Sequence, residues 1–477
     1  MHSAYESVMG LEIHARIKTK TKMFCGCSND TWKAEPNEHI CDVCAGFPGS
    51  LPVLNKEALH KGVLTALAMG CTIPKSSKFD RKSYFYPDLP SGYQISQYDE
   101  PIAVNGTVTI FVEGEKKKFR FHRIHLENDA GKLTHENGMT LVDLNRAGSP
   151  LMEMVTEPDF RTPKEVSSFL KEVQRILRTL GTSDADMEKG MMRCDVNVSV
   201  RKKGAEKLGT KVEVKNMNSF RNIEKALEYE IDRQIELVEK GEKIVQETRG
   251  WDDAKEITLS QRNKEEAMDY RYFPEPDIPP LTFEEKYISK LKKEVPELPS
   301  QKMERYLSEY EISLNDGETL VNDLEVSNFF ETVAKISGNP KKTANWMISE
   351  VLAVLNESGK SLAELPFSAE DLGKLIGMIE SGKISGKIAK EIFVEMKEKG
   401  GDPEKIVTSK GMSQISDEKK LEKICQEVLA ENPKLVEEYE GGKDKLFGSF
   451  IGQVMKRTGG KANPEMVNAV MKKLLQK

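Results

Sequence analysis

Up to about residue 220, polar and apolar positions alternate along the chain, and the polar side of the alternation is chemically unusual. In residues 10–17, Leu11 and Ile13 alternate with Glu12, His14 and Arg16; in residues 123–129, Ile124 and Leu126 alternate with His125, Glu127 and Asp129. Residues 195–200 set Asp195, Asn197 and Ser199 against three valines, and residues 211–215 set Lys211, Glu213 and Lys215 against Val212 and Val214. In residues 141–146, Asp143 and Asn145 fall on one side. Successive side chains of a strand point to opposite faces, so these segments predict a sheet with one aliphatic face and one face bearing carboxylates. A face turned to water carries Lys, Thr, Arg and Gln as well as acids. Here short Glu, Asp, Asn and His groups dominate, and oxygen ligands with an occasional imidazole are what Mg²⁺ or Mn²⁺ requires. A curved sheet with such a concave face can hold one or two metal ions against nucleotide phosphates.

The back of the chain follows a different period. From about residue 304, Leu, Ile and Val recur at helical spacing among Lys and Glu, as in 371–380 and 387–396, with no β-rich stretch. The break lies between residues 274 and 299, where Phe273-Pro-Glu-Pro-Asp-Ile-Pro-Pro280 can be neither helix nor central strand. A second boundary near Gly400-Gly-Asp-Pro403 precedes short helices over 418–430 and 464–476. The expected organisation is a sheet domain over 1–295, a helical domain over 296–405 and a small helical tail domain over 406–477. Residues 443–477 hold eight Lys/Arg and two acidic residues, a local excess that suits a module facing nucleic acid.

Composition narrows the class. With 477 residues, 38% hydrophobic, 31% charged and a net charge of −6, the chain is globular, neither disordered nor fibrous. No apolar run approaches the ~20 residues of a membrane span and no signal-peptide core opens the chain, so a cytoplasmic protein without membrane attachment is expected. Four of the seven cysteines, Cys25, Cys27, Cys41 and Cys44, form C-x-C and C-x-x-C pairs with thirteen residues between. In a reducing compartment this pattern predicts a closed tetrahedral thiolate site holding a structural Zn²⁺, rather than two disulfides.

No Walker A sequence is present, so phosphates would be held by metal and by cations. Arg81 and Lys82 are candidates, in a segment, Asp80-Arg-Lys-Ser-Tyr-Phe-Tyr-Pro-Asp88, that sets Tyr84, Phe85 and Tyr86 beside them. Glutamine hydrolysis is not expected of this chain, since Cys71, Cys194 and Cys425 have no adjacent His and no amidase-like serine motif appears.

Several rare-residue motifs carry a resemblance. Glu12-Ile-His14, Phe24-Cys-Gly-Cys27, Cys41-Asp-Val-Cys-Ala-Gly-Phe-Pro-Gly49, Tyr84-Phe-Tyr-Pro-Asp-Leu-Pro90, Leu126-Glu-Asn-Asp-Ala-Gly-Lys132, Glu213-Val-Lys-Asn-Met-Asn-Ser-Phe220 and Gly460-Lys-Ala-Asn-Pro464 stand in register over the whole chain. The sequence resembles the GatB family, the B subunits of aspartyl/glutamyl-tRNA(Asn/Gln) amidotransferase. The resemblance implies an α+β fold: a glutamine-synthetase-like curved antiparallel sheet, the cradle, followed by the all-α helical domain and the tail. It implies an ATP-dependent subunit that phosphorylates the side-chain carboxylate of mischarged Glu-tRNA(Gln) or Asp-tRNA(Asn). Ammonia would come from a glutaminase A subunit, with a small C subunit completing a heterotrimer. Matched motif by motif, Glu12, His14, Glu127, Glu153, Asp195 and Glu213 are candidate Mg²⁺ ligands, with Glu127, Glu153 and Asp195 at the catalytic centre. Glu153 lies in a strand apolar on both faces, where a lone carboxylate needs a cationic partner. Lys82, Tyr84, Tyr86, Arg146, Lys215 and Asn218 are candidates for ATP. Arg249, Tyr270 and Arg271, with Lys456, Arg457 and Lys461 of the tail, are candidates for tRNA. Two other readings remain open: a glutamine-synthetase-type ligase acting on a free amino acid, and a non-catalytic, zinc-stapled tRNA-binding scaffold.

Overall fold

The computed structural model describes residues 4–263, 269–412, 418–459 and 462–475, in two compact units, Met1–Lys302 and Met303–Lys477. The first unit is built on an eight-stranded sheet in the order Ile257–Asn263, Glu247–Asp252, Val212–Lys215, Met192–Lys202, Tyr5–Arg16, Pro150–Thr156, Glu115–Asn128 and Ala103–Val112. All neighbours are antiparallel except Val212–Lys215 with Glu247–Asp252, which run parallel because the long helix Phe220–Glu239 returns the chain between them.

The alternation read from sequence is the pleat of this sheet. On the central strand Leu11, Ile13 and Ala15 are buried and Glu12, His14 and Arg16 only partly so. The aliphatic face, continued by Met152, Met154, Cys194, Val196 and Val198, belongs to one core with the helices Lys56–Ala68, Pro163–Thr179 and Phe220–Glu239. Each such side chain withdrawn from water contributes about 1.5–3 kcal/mol. Thr162 and Glu165 form a reciprocal capping box at the start of Pro163–Thr179 and fix its first turn.

Register then sets the opposite face. His14 pairs with Glu153 on one neighbour, and Glu153 pairs with His125 on the next. On the other side Glu12 lies opposite Asp195, and Asn197 opposite Glu213. Directly opposed residues share a face, so the polar groups of separate strands form one continuous surface.

One expected strand, over 141–146, lies outside the eight-stranded sheet and stops at Asp143. Residues 139–143 pair with Lys132–Glu136 in a separate hairpin, and the chain then turns, with the Ala147 N–H donating to Leu144 O and the Ser149 N–H to Arg146 O. Asp143 and Asn145 therefore do not join the acidic surface. They hold the cysteine loop instead: Asp143 accepts from the Asn37 N–H at 3.1 Å and Asn145 from the His39 N–H at 2.8 Å.

The second unit is helical throughout its described residues, with Ala369–Glu380, Gly386–Lys399, Glu418–Glu431 and Pro464–Leu475 over the segments predicted helical. The last two helices and Phe447–Arg457 enclose a small core of Leu421, Cys425, Val428, Phe450, Val454, Val467 and Met471.

Candidate active site

The acidic surface closes around a buried cluster. His125 Nε2 lies 3.1 Å from Glu153 and 3.6 Å from Glu127, while His14 Nε2 lies 3.4 Å from Glu153, 3.7 Å from Glu127 and 3.8 Å from Glu12. Ser96 donates its hydroxyl to Glu127 at 3.2 Å. The cationic partner that Glu153 needs is thus supplied by two imidazoles. Burial disfavours charge on His125, but Glu153 and Glu127 outweigh it and raise its pKa to about 9. His14 is raised for the same reason, burial being outweighed by its hydrogen bond to Glu153 and the charge of Glu127. Burial alone would raise Glu153, but His125 and His14 hold it well below the ordinary carboxylate range. Glu12 is raised, first by burial and then by the charge of Glu153.

Two cavities flank this cluster. One, of about 420 Å³, is lined by His14, Lys82, Tyr84, Glu127, Asp129, Arg146, Arg193, Asp195, Lys215 and Asn218. The other, of about 630 Å³, is lined by Glu12, Lys82, Arg123, His125, Glu153, Glu213, Lys215, Thr248, Tyr270 and Tyr272. Lys82 and Lys215 border both. Lys215 binds Asp195 at 2.6 Å and Glu213 at 3.2 Å; Lys82 sits 4.8 Å above the Tyr270 ring. Burial would lower both lysines, but the surrounding acids, Glu127 for Lys82 and Asp195 for Lys215, raise them, so both stay charged.

Of the residues singled out from sequence, Glu12, His14, Lys82, Tyr84, Glu127, Arg146, Glu153, Asp195, Glu213, Lys215, Asn218 and Tyr270 line these two cavities. Tyr86 and Arg271 are exposed and line neither. Arg81 points away from Lys82, since neighbours on a strand face oppositely, and is held by Glu275 at 2.7 Å and Asp277 at 3.2 Å. Arg249 donates to Glu247 at 2.7 Å and Thr258 at 2.8 Å and pairs with buried Glu230 at 3.4 Å, between sheet and helix. Lys456 and Arg457 are exposed at the end of Phe447–Arg457, and Arg457 is engaged by Glu427 and Glu431. Lys461 lies outside the described residues.

Sequence reasoning assigns no site role to His125, Asp129, Arg193 or Arg123. The first two share the alternating face with Glu127, which is signal enough to include them. Asp129 is held low, against its burial, by Arg193 at 3.2 Å and Arg146 at 3.5 Å, and its Oδ2 has no hydrogen-bond partner. Arg123 lines the second cavity with its buried Nε unpartnered.

The donor set fits a hard divalent cation: Glu12, His14 and Glu153 form one group, and His125, Glu127 and Glu153 another, each with ligand atoms within 4.8 Å of one another. The four cysteines fit a different ion. Their sulfurs also lie within 4.8 Å of one another, with Cys41 and Cys44 at 3.9 Å, near the ~3.8 Å edge of a tetrahedron with 2.3 Å metal–sulfur bonds. None of the four is in a disulfide. Cys44 is pulled down to about 4, first by a hydrogen bond from Cys25, then by the Cys41 backbone and Lys22. This cluster can bind a structural metal.

Fold and site together define a cradle-type catalytic domain followed by a helical module. Residues 7–289 match the family model of the GatB/GatE catalytic domain, and residues 328–475 match that of the GatB domain. The chain belongs to the GatB family. It is 52% identical over 473 residues to the B subunit of the aspartyl/glutamyl-tRNA(Asn/Gln) amidotransferase of Thermodesulfovibrio yellowstonii, covering 99% of each chain. It is 48% identical over 478 residues to the same protein from Carboxydothermus hydrogenoformans and 49% identical over 478 residues to that from Thermotoga maritima, again over 99% of each chain. Among the described residues no helix is long and apolar enough to cross a membrane.

Proposed function

We propose that this chain is the ATP-dependent subunit of a tRNA-dependent amidotransferase, activating the side-chain carboxylate of Glu-tRNA(Gln), Asp-tRNA(Asn) or both. The observation that carries the reading is the convergence of Glu12, His14, Glu127, Glu153, Asp195 and Glu213 from five strands on one surface, bordered by two charged lysines. Family membership supports it.

Glu12, His14, Glu127 and Glu153, with His125, would hold Mg²⁺, with Asp195 and Glu213 beside them on Lys215; the ion would neutralise charge on the γ-phosphate. The chain's own groups do the rest. Lys82, Lys215, Arg146 and Arg193 supply fixed positive charge around the phosphates, and Tyr84 and Asn218 border the same cavity. The side-chain carboxylate of the aminoacyl group attacks the γ-phosphorus, ADP leaves, and an acyl phosphate forms. Ammonia then attacks the acyl carbon, the C–O bond to phosphate breaks, and the amide and inorganic phosphate are released. Both anionic partners must approach each other, so preorganised cations offset their repulsion.

Ammonia requires a glutaminase, so a heterotrimer with A and C subunits is part of the proposal, as are a cytoplasmic location, the division of the second unit at about residue 405, and tRNA contacts from Tyr270, Arg271 and the tail. ATP cleavage by the assembled enzyme distinguishes the readings. Dependence on mischarged tRNA is expected; dependence on free glutamate would favour a glutamine-synthetase-type ligase, and no cleavage under either condition would favour a scaffold.

A further inference from the structure

Lys22 is fully buried, an unusual place for an ammonium. Its Nζ donates to His39 O at 2.7 Å, to Leu144 O at 3.3 Å and to Cys44 Sγ at 3.4 Å. An ammonium has three N–H donors, and here each has one acceptor. Two of these acceptors are neutral carbonyls, which solvate a charge without cancelling it. Among the described residues Lys22 pairs with no carboxylate, and its third acceptor is the Cys44 sulfur. A buried charge without a counter-charge is strongly unfavourable.

A divalent metal bound by four thiolates has the complementary problem, since it carries two net negative charges. The two problems solve each other. We propose that Lys22 is the built-in counter-cation of the four-cysteine centre, a positioning residue that donates to the Cys44 sulfur and slows loss of the metal. Its carbonyl contacts add a mechanical function. Leu144 and Gly148 begin and end the turn that carries Arg146, a Cβ on Gly148 would meet both Cys44 Cβ at 3.3 Å and Lys22 Cδ at 3.5 Å, and the Met23 N–H donates to Gly148 O at 2.8 Å. Lys22 thus clamps the cysteine loop to one wall of the smaller cavity.

The inference rests on the reading that the cysteines bind metal, and the experiment separates the two. Wild-type chain, Lys22→Met and Lys22→Gln are purified without chelator, their zinc content is measured, and release is followed with excess EDTA and a pyridylazo-resorcinol indicator. Loss of an outer partner to a ligand costs about 10–100-fold in metal affinity, so zinc should leave Lys22→Met at least about tenfold faster than wild type. The glutamine variant, which keeps N–H donors but no charge, should fall between. In the cobalt-substituted proteins, removing the N–H···S bond should move the sulfur-to-cobalt band of Lys22→Met to longer wavelength. Equal release rates and an unmoved band in a folded variant overturn the proposal. So does a variant that fails to fold with zinc in excess, because Lys22 would then serve packing rather than the metal. A wild-type chain without zinc defeats the metal reading itself.

Discussion

Glu153 accepts from His125 across a 3.1 Å gap between neighbouring strands, and the register that opposes them places both on the polar face of the sheet. This ion pair occupies the space where the candidate metal ligands meet, so protonated imidazole does there what a divalent cation would do.

Metal binding should therefore release protons. With His125 raised to about 9, the affinity of the chain for Mn²⁺ should rise steadily from pH 6.5 to pH 8.5, followed by the paramagnetic signal of free Mn²⁺. An affinity flat across that interval would mean that the histidines do not compete with metal. The same raised value has a sign for stability: the contribution of His125 to folding is fully present below about 6.5 and is lost as the pH climbs through about 9.

Glu127→Gln keeps the shape of the side chain and the contact with Ser96 but removes a charge that faces both histidines. In the assembled enzyme, ammonia-supported amidation should fall at least about 100-fold, the order seen when a preorganised electrostatic group is lost, with an unchanged far-ultraviolet circular dichroism spectrum. Asp195→Asn should behave alike. Retained amidation in either variant would favour the scaffold reading.

Arg249→Ala separates packing from recognition. The guanidinium is tied to Glu247, Thr258 and buried Glu230, and Glu230 keeps Arg233 at 2.6 Å when Arg249 is removed. The loss should cost about 2 kcal/mol in urea unfolding, with the KM for mischarged tRNA little changed in the enzyme that remains folded. A large KM effect at unaltered stability would restore Arg249 as a tRNA contact.

For the tail, truncation of residues 441–477 is a poor test, because it strips Phe450, Val454, Val467 and Met471 from the core shared with Leu421 and Cys425. Reversing the exposed Lys456, Lys472 and Lys473 to Glu leaves that core intact. We expect the KM for mischarged tRNA to rise about tenfold and its salt dependence to flatten, with glutamine hydrolysis unaffected. Equal loss of both activities would place the tail in assembly instead.

Much of the site was legible because a strand's period of two is rigid: once Leu11 and Ile13 are inside, Glu12 and His14 share the other face. Which carboxylate meets which histidine was not legible, since that depends on register between strands far apart in sequence, as with His14, His125 and Glu153. The same dependence hid the parallel pairing of Glu213 with Thr248. Asp143 and Asn145 misled for a local reason. Their alternation is that of a strand, but the turn after residue 143 takes them to the cysteine loop, where their short side chains cap backbone N–H groups. Lys22 gave no signal, because nothing in a Thr-Lys-Met sequence distinguishes a buried ammonium from a solvated one. The helix at Pro163 was signalled by its Thr-Pro-Lys-Glu start, a capping pattern overshadowed by the strands around it.

Phosphorylation of a side-chain carboxylate before its amidation is the central claim, and oxygen labelling tests it most directly. Glutamyl-tRNA(Gln) or aspartyl-tRNA(Asn) carrying ¹⁸O in both side-chain carboxylate oxygens is given to the assembled enzyme with ATP and glutamine, and the inorganic phosphate is analysed by mass spectrometry. One ¹⁸O should pass into each phosphate formed, because the C–O bond cleaved by ammonia is the one that joins the carboxylate to phosphorus. Phosphate free of ¹⁸O, with amide product still accumulating, would contradict it.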